Sequence, residues 1–392
     1  MCLHRFIVFR LAIKMGAMEK LSGPKAKQIS STCLGCASPR CEEACPLHNP
    51  IRECLALIRS NKAEQAAELL YSSNPFPELT SALCEHFCKQ RCIRGFAGSP
   101  IDFGSVEGYL ASFDDNRAKQ PENGRRIAII GAGPAGLSCA YELLLWGFSV
   151  EVFDSQDGIG GAIREFIPRF RFDEAPLSGI YDRLVRLGCR FHFGSMVDLS
   201  KPLEGFEATF AAVGANEPNL ANFVLSDKVV DGLSFLKAAK WGSPRYPDDL
   251  PAYVYGGGNV AFDAARTLAR LGVKAKVIYR RGEAQMPGDA KEYRRCLEDG
   301  VEFMFQRSIV SAGGNLRICH TALGEKGKDG RASFSPIPGS EEEIPYGLLV
   351  LCIGQRRPIC GDGLICIGDA NDGASDIPHA IASGLNAGNG YI

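Results

Sequence analysis

Seven closely spaced cysteines and two glycine turns carry the chemistry open to this sequence. One cysteine run reads Cys33-x2-Cys36-x4-Cys41-x3-Cys45-Pro46, and a second reads Cys84-x3-Cys88-x3-Cys92. Spacings this short bring thiolates together on tight turns or helical faces. Iron–sulfur clusters require that, since each takes about four protein ligands. The terminal Cys-Pro matches the ferredoxin pattern in which the last cysteine of a run serves the other cluster. Seven thiols are one short of two full clusters. Zinc is the competing reading, although zinc motifs usually come as two separated cysteine pairs. Cys54 stands outside the pattern, as a spare ligand or a buried free thiol. His48 and His86 lie among the cysteines and read as surface or hydrogen-bonded histidines.

The first glycine turn is Gly131-Ala132-Gly133-Pro134-Ala135-Gly136. An apolar, strand-prone run, Arg126 to Ile130, precedes it, and a helical pattern follows. A second strand, Val150 to Phe153, then ends in Asp154. This is the dinucleotide fingerprint in context: Gly131 for the turn, Gly133 for backbone approach to a pyrophosphate, Gly136 for close helix–strand packing. Asp154 can accept hydrogen bonds from ribose hydroxyls. The second turn, Gly256-Gly257-Gly258-Asn259-Val260-Ala261, follows the strand Ala252 to Tyr255. Alanine replaces its third glycine, an accepted variant. Its next strand ends in Tyr279-Arg280-Arg281 rather than in an acid. Arginine there accommodates a 2′-phosphate and favours NADP over NAD.

Two dinucleotide sites behind a cysteine-rich front end suggest an electron route from nicotinamide to flavin to clusters. The sequence has no GxSxG elbow, no HExxH helix and no P-loop. Disulfide reductases need a cysteine pair beside the flavin, whereas Gly160-Gly161 is followed here by Ala162-Ile163-Arg164-Glu165.

The elements that must position these residues follow the same division. Residues 1–30 read as a tail. Residues 31–115 carry the cysteines between short helical patterns, and Ile51 to Leu70 fits one helix or two. The polar stretch Asp114 to Gly124 is a linker. From Arg126 onward a strand, glycine turn, helix, strand rhythm marks an α/β fold with a parallel sheet, and the rhythm restarts at Ala252. The 44 basic and 45 acidic side chains leave a net charge of −1, so no basic excess points to nucleic acid. No segment has the apolar length of a membrane span, and Phe6 to Phe9 is interrupted by Arg10. A reducing, cytoplasmic setting is expected, where clustered cysteines are metal ligands or redox groups.

In combination these motifs resemble the small (beta) subunit of glutamate synthase and the N-terminal, electron-input half of dihydropyrimidine dehydrogenase. The segments that carry the resemblance include CLGCASPRCEEACP, GAGPAGLSCAYELLLWG, GGGNVAFDAARTLARLG and IGDANDGASDIPHAIASG. It implies a small helical domain with two 4Fe-4S clusters over 31–115 and a linker over 116–125. Two Rossmann-like domains follow: one for FAD over 126–215 and 356–392, and an inserted one for NAD(P)H over 216–355.

The resemblance also sorts the cysteines. Cys33, Cys36, Cys41 and Cys92 would hold one cluster, and Cys45, Cys84, Cys88 and Glu107 the other, with Cys54 as the competitor for the last place. FAD would lie on Gly131 to Ala135, Asp154, Gly160, Gly161, Arg171, Gly368 and Asp369, with Ile377 and Pro378 closing over the ring. NADPH would lie on Gly257, Gly258, Asn259, Val260, Arg280, Arg281 and the Ile353-Gly354-Gln355 turn. The family usually has Glu where Asp154 stands. Electrons would pass to a larger, FMN-bearing partner. A pyrimidine-reducing partner is the alternative acceptor, and a zinc-stabilised dinucleotide-binding scaffold is the alternative without turnover.

Overall fold

The computed structural model describes residues 21–242, 249–327 and 330–392. The run Phe6 to Phe9 and most of the expected tail lie outside these residues. The part of the tail that is described is ordered differently from expectation. Gly23–Ser31 is a helix with Pro24 in its first turn, and it buries Ala26 and Ser30. Ala26 joins a small core with Ile51, Leu55, Leu70, Val106 and Leu110. So short an element, with two small buried residues, offers little apolar periodicity to detect. The stretch after Pro50 is two helices, Ile51–Arg59 and Ala63–Tyr71, separated at Asn61, whose backbone is left-handed (φ 58°).

Two five-stranded parallel sheets follow. The first runs in the order Ile365–Cys366, Ala208–Ala211, Arg126–Ile130, Ser149–Phe153, Arg190–His192. The second runs Val229–Asp231, Leu348–Leu351, Ala252–Tyr255, Ala275–Tyr279, Glu302–Phe305. Their central strands are buried along nearly their whole length, as expected of parallel strands flanked by other elements on both faces. A four-stranded antiparallel sheet over 307–344 is appended to the second unit. The chain crosses between the units twice, and the crossings pair: Glu217–Pro218 runs antiparallel to Gln355–Arg356.

The joints between these parts differ in kind. Leu47, Phe76, Leu79 and Leu83 from the helical block belong to the same core as Ile127, Ile129, Leu137 and Leu144 of the first sheet unit. Arg183 braces that joint with an ion pair to Glu78 (2.9 Å) and a hydrogen bond to the Pro75 carbonyl (2.7 Å). The second sheet unit has a core of its own, around Val254, Phe262, Leu268, Val277 and Val350. Polar contacts tie it to the rest. Arg171 pairs with Asp263 at 2.6 Å, and Lys240 pairs with Glu174 at 2.8 Å and donates to the Ile167 carbonyl at 2.6 Å. Among the described residues no helix is long and apolar enough to cross a membrane.

Candidate functional site

The expected cysteine sets come together around two cavities. Cys33, Cys36, Cys41 and Cys92 line the larger cavity, and Cys88 also reaches its wall. Cys45, Cys84, Cys88 and Glu107 line the smaller one. Cys54 lines neither. It is fully buried, and its thiol donates to the Ala66 carbonyl at 3.5 Å. Burial pushes the Cys41 thiol up to about 11 and raises Cys45, Cys84 and Cys88 as well. Such thiols stay protonated unless a metal takes them as thiolates. Among the described residues no three His, Cys, Asp or Glu side chains converge on a single ion. Thiols spread around a cavity suit a multi-iron cluster better than one zinc ion. Backbone N–H groups already point at two of the sulfurs: His86 to Cys84 Sγ (3.2 Å) and Ile101 to Cys92 Sγ (3.5 Å).

Glu107 sits on the helix Phe103–Leu110 with 3% of its surface exposed. Asn49 and Asn74 donate to its Oε1 at 3.2 and 2.9 Å. Burial still dominates and pushes its carboxyl up to about 7. The sequence marks this residue only as a carboxylate in a helix. What sets it apart is three-dimensional: it is aimed into a thiol-lined cavity. His86 also lines this cavity, but its ring packs against the Gly104 backbone. His48 is exposed.

The first glycine turn is locked from several sides. Gly131 has φ 108°, and a Cβ there would collide with the Ala212 carbonyl oxygen. A Cβ on Gly136 would strike the Gly131 carbonyl, which is the close packing the fingerprint requires. Pro134 and Ala135 open the helix Pro134–Leu145, with Gly133 as its N-cap. Gly160 donates to the Ala132 carbonyl at 2.8 Å, and Gly161 lies against Gly133. Gly368 abuts Ala135, and Asp369 accepts from the Ser375 hydroxyl at 2.6 Å. Ile377 and Pro378 start the final helix, and Pro378 also lines the smaller cysteine cavity. The segment expected to close over a flavin therefore reaches the wall of the second thiol set.

Two residues expected at the flavin have further protein partners. Asp154 accepts from the Ala132 N–H (2.6 Å) and the Gln156 N–H (2.8 Å), one on each oxygen. The carboxylate holds the turn itself, as a short acid can. Arg171 is bound to Asp263 across the joint between the two sheet units.

The second turn is as tight as the first at its leading glycine, where a Cβ on Gly256 would strike the Cys352 carbonyl, and open at its third. Gly257, Gly258, Asn259 and Val260 lie at the start of the helix Asn259–Arg270, and a Cβ on Gly258 would meet nothing within 4 Å. The Asn259 amide donates to Glu85 Oε1 at 2.6 Å, and its oxygen accepts from the Asp289 N–H at 2.9 Å. Glu85 follows Cys84 directly, so the helical block touches the start of this helix. No sequence motif signals that contact. Ile353, Gly354 and Gln355 follow Cys352, whose carbonyl abuts Gly256, and Gln355 enters the paired crossing. The two arginines differ. Arg281 is buried and its Nε donates to the Ala332 carbonyl at 2.5 Å. Arg280 is half-buried, with its guanidinium 4.6 Å from the Phe334 ring centroid. Arg280 is the less buried of the two.

Comparison with known proteins agrees with this division. Residues 14–119 match the family model for dihydropyrimidine dehydrogenase domain II, 4Fe-4S cluster. Residues 129–190 match the NAD(P)-binding Rossmann-like domain, and 208–361 the pyridine nucleotide-disulphide oxidoreductase domain. The chain is 32% identical to AegA of Escherichia coli over 84% of its own length and 55% of that protein's. It thus spans little more than half of that curated relative. It is 31% identical to the small chain of glutamate synthase [NADPH] from the same organism, over 86% of this chain and 78% of that one. A 2-naphthoyl-CoA reductase structure shares the fold, with a TM-score of 0.57 at 17% identity, over 87% of this chain and 52% of that one.

Proposed function

The chain belongs to the glutamate synthase small-chain family of NAD(P)H-dependent flavin and iron–sulfur oxidoreductases, and we propose that it is an electron-input subunit, drawing electrons from NADPH and delivering them to a larger, FMN-bearing partner. One observation carries the reading: Pro378, which opens the flavin-closing helix, stands in the wall of the cavity lined by Cys45, Cys84, Cys88 and Glu107. When bound, a flavin exchanges electron pairs with a nicotinamide while clusters take electrons singly.

The residues of the chain then bind, orient and exclude water. Gly131 to Gly136, Gly160, Gly161, Gly368 and Asp369 cradle FAD, and Ile377 and Pro378 cover it. Gly257 to Val260 and the Ile353–Gln355 turn receive the nicotinamide dinucleotide, with Arg280 on the 2′-phosphate. Arg171 holds the two dinucleotide units in register through Asp263, and Asp154 fixes the first turn. Cys33, Cys36, Cys41 and Cys92 hold one cluster. Cys45, Cys84, Cys88 and Glu107 hold the other. The flavin unit comprises residues 126–215 and 356–392, and the nicotinamide unit 216–355. A pyrimidine-reducing partner is the second reading, favoured by the family model over residues 14–119.

The test is an absorption spectrum of the anaerobically purified chain before and after NADPH, with iron and labile sulfide measured alongside. Two clusters correspond to about eight irons and eight sulfides per chain. The expected result is a flavin band over a broad brown background, both bleached by NADPH. A colourless protein holding stoichiometric zinc and indifferent to NADPH would replace this reading with the scaffold.

A further inference from the structure

From the mouth of the larger cysteine cavity we infer that this face docks an acidic, electron-accepting protein; the inference rests on the electron-input reading above. Three large apolar side chains stand out around this cavity: Leu34 and Ile93 line it, and Phe96 lies on the same short helix as Ile93, Ile93–Ala97. Phe96 is 87% exposed, Leu34 66% and Ile93 37%. Leu34 lies between Cys33 and Cys36, and Ile93 follows Cys92, so the patch belongs to the cavity's own loops. A cluster of exposed apolar groups framed by polar ones marks an interaction surface, where scattered single residues would not.

The frame is basic. Arg40, Arg52, Arg91 and Arg94 line the cavity, and no carboxylate lines it. Two of these guanidiniums are fixed at the mouth by backbone carbonyls of the cysteine loops. Arg52 donates to the Cys36 carbonyl at 2.9 Å, and Arg94 to the Thr32 carbonyl at 2.8 Å. Among the described residues none of the four forms an ion pair, whereas Arg125, Arg126, Arg164, Arg171, Arg183 and Arg266 all do. The chain as a whole carries a charge of −1, so four arginines without an ion pair are a local concentration of positive charge, offset only in part by Glu42, which accepts from the Arg52 N–H at 2.7 Å.

An apolar centre with an arginine rim is the composition of a protein interface. Its charge selects a partner with an acidic rim and speeds the encounter at low salt. The smaller cavity shares Pro378 with the final helix, whereas the larger one has the exposed Leu34 and Ile93 in its wall, so an acceptor seated on these side chains lies against the outer thiol set. The arginines also offset the negative charge of a thiolate-bound cluster. Phe96 has no such role, which makes it the residue that separates the two explanations.

The experiment uses the anaerobic holoprotein with an acidic flavodoxin as probe. Its affinity is measured by surface plasmon resonance at several salt concentrations, beside basic cytochrome c and vesicles of phosphatidylcholine and phosphatidylglycerol. The expected result is flavodoxin binding that weakens with salt and falls about tenfold in Phe96→Asp, as for loss of an exposed aromatic anchor. Arg91→Gln should flatten the salt dependence, with the cluster spectrum confirming an intact site. NADPH-driven reduction of a small neutral quinone should be unchanged in Phe96→Asp. Flavodoxin binding indifferent to salt or to Phe96→Asp, or a preference for cytochrome c or vesicles, overturns the docking face. Failure of the wild-type holoprotein to reduce the quinone with NADPH overturns the electron-input reading instead.

Discussion

The two glycine turns share a pattern and differ in how they are held. The first is enclosed by its own neighbours: Ala212 over Gly131, Gly161 against Gly133, Gly368 against Ala135, and Asp154 clasping the Ala132 amide. Its sheet unit shares a core with the cysteine-bearing helices. The second turn is as tight at its first glycine, where a Cβ on Gly256 would strike the Cys352 carbonyl, but leaves Gly258 open, and its unit keeps a core of its own, which Phe166 touches from outside and which ion pairs and hydrogen bonds join to the rest. Apolar fusion suits a group that stays, since buried area gives a rigid, water-free joint. Polar ties suit a ligand that comes and goes, because they can be remade after each exchange. On the proposed reading one fingerprint serves a resident and a visiting dinucleotide, and the joint between each unit and the helical block is what tells the two apart.

Substitutions can break or sharpen this contrast. The largest effect is expected from Gly131→Ala, which combines a positive φ with a collision against backbone. It should cost about 3 kcal/mol or more and yield protein that retains little flavin, read as the flavin-to-protein absorbance ratio. Normal flavin content in that variant would show that the first turn is not locked. Next comes Arg171→Ala, which strands the buried Asp263 carboxylate, at about 3–5 kcal/mol.

This second loss has a pH signature. Burial raises the Asp263 carboxyl above its ordinary range even with Arg171 present. A group raised on folding stabilises below its unfolded pKa, and that contribution fades as pH rises through the folded value. Removing the Arg171 cation raises it further. The variant's deficit against wild type in thermal melts should therefore grow from pH 5 to pH 7.5, and a deficit that shrinks over that range contradicts the assignment.

A smaller effect separates the two arginines. Arg280→Ala should raise the KM for NADPH about tenfold, the loss of one charge-assisted contact, and leave the KM for NADH nearly unchanged. Arg281→Ala should mainly lower the melting temperature, because its guanidinium holds the strand Ala332–Pro336. The smallest effect on stability is expected for Gly258→Ala, within about 0.5 kcal/mol. Any change it causes should appear in NADPH affinity and not in flavin content, the opposite of Gly131→Ala.

Much of this was legible in the chain because the chemistry is local. A strand, a glycine turn, a helix and a terminal acid or arginine lie within thirty or so residues, and both sheets formed where that rhythm placed them. The cysteine spacings led to seven thiols, which the fold divides between two cavities. Glu107 was legible only through resemblance, since a carboxylate on a helix has no local mark of being buried. The contacts Arg171–Asp263, Arg183–Glu78 and Glu85–Asn259 span 92, 105 and 174 residues, and nothing in either partner's neighbourhood announces the other. For the same reason Arg171 and Asp154 read only as flavin ligands, and the further partner each has, Asp263 for the one and the Ala132 amide for the other, was not legible. The helix Gly23–Ser31 was missed because alanine and serine, not large apolar residues, form its buried side.

The paired crossing at Glu217–Pro218 and Gln355–Arg356 places the two ends of the nicotinamide unit on adjacent strands, about 5 Å apart. An insert whose ends adjoin behaves as a cassette. It can be lifted out and its stumps joined by a short turn without altering the sheet it leaves behind, or exchanged for a unit that admits a different electron donor. On the proposed reading the part that holds flavin and cysteines is the chassis, and the choice of electron donor lies in the inserted unit.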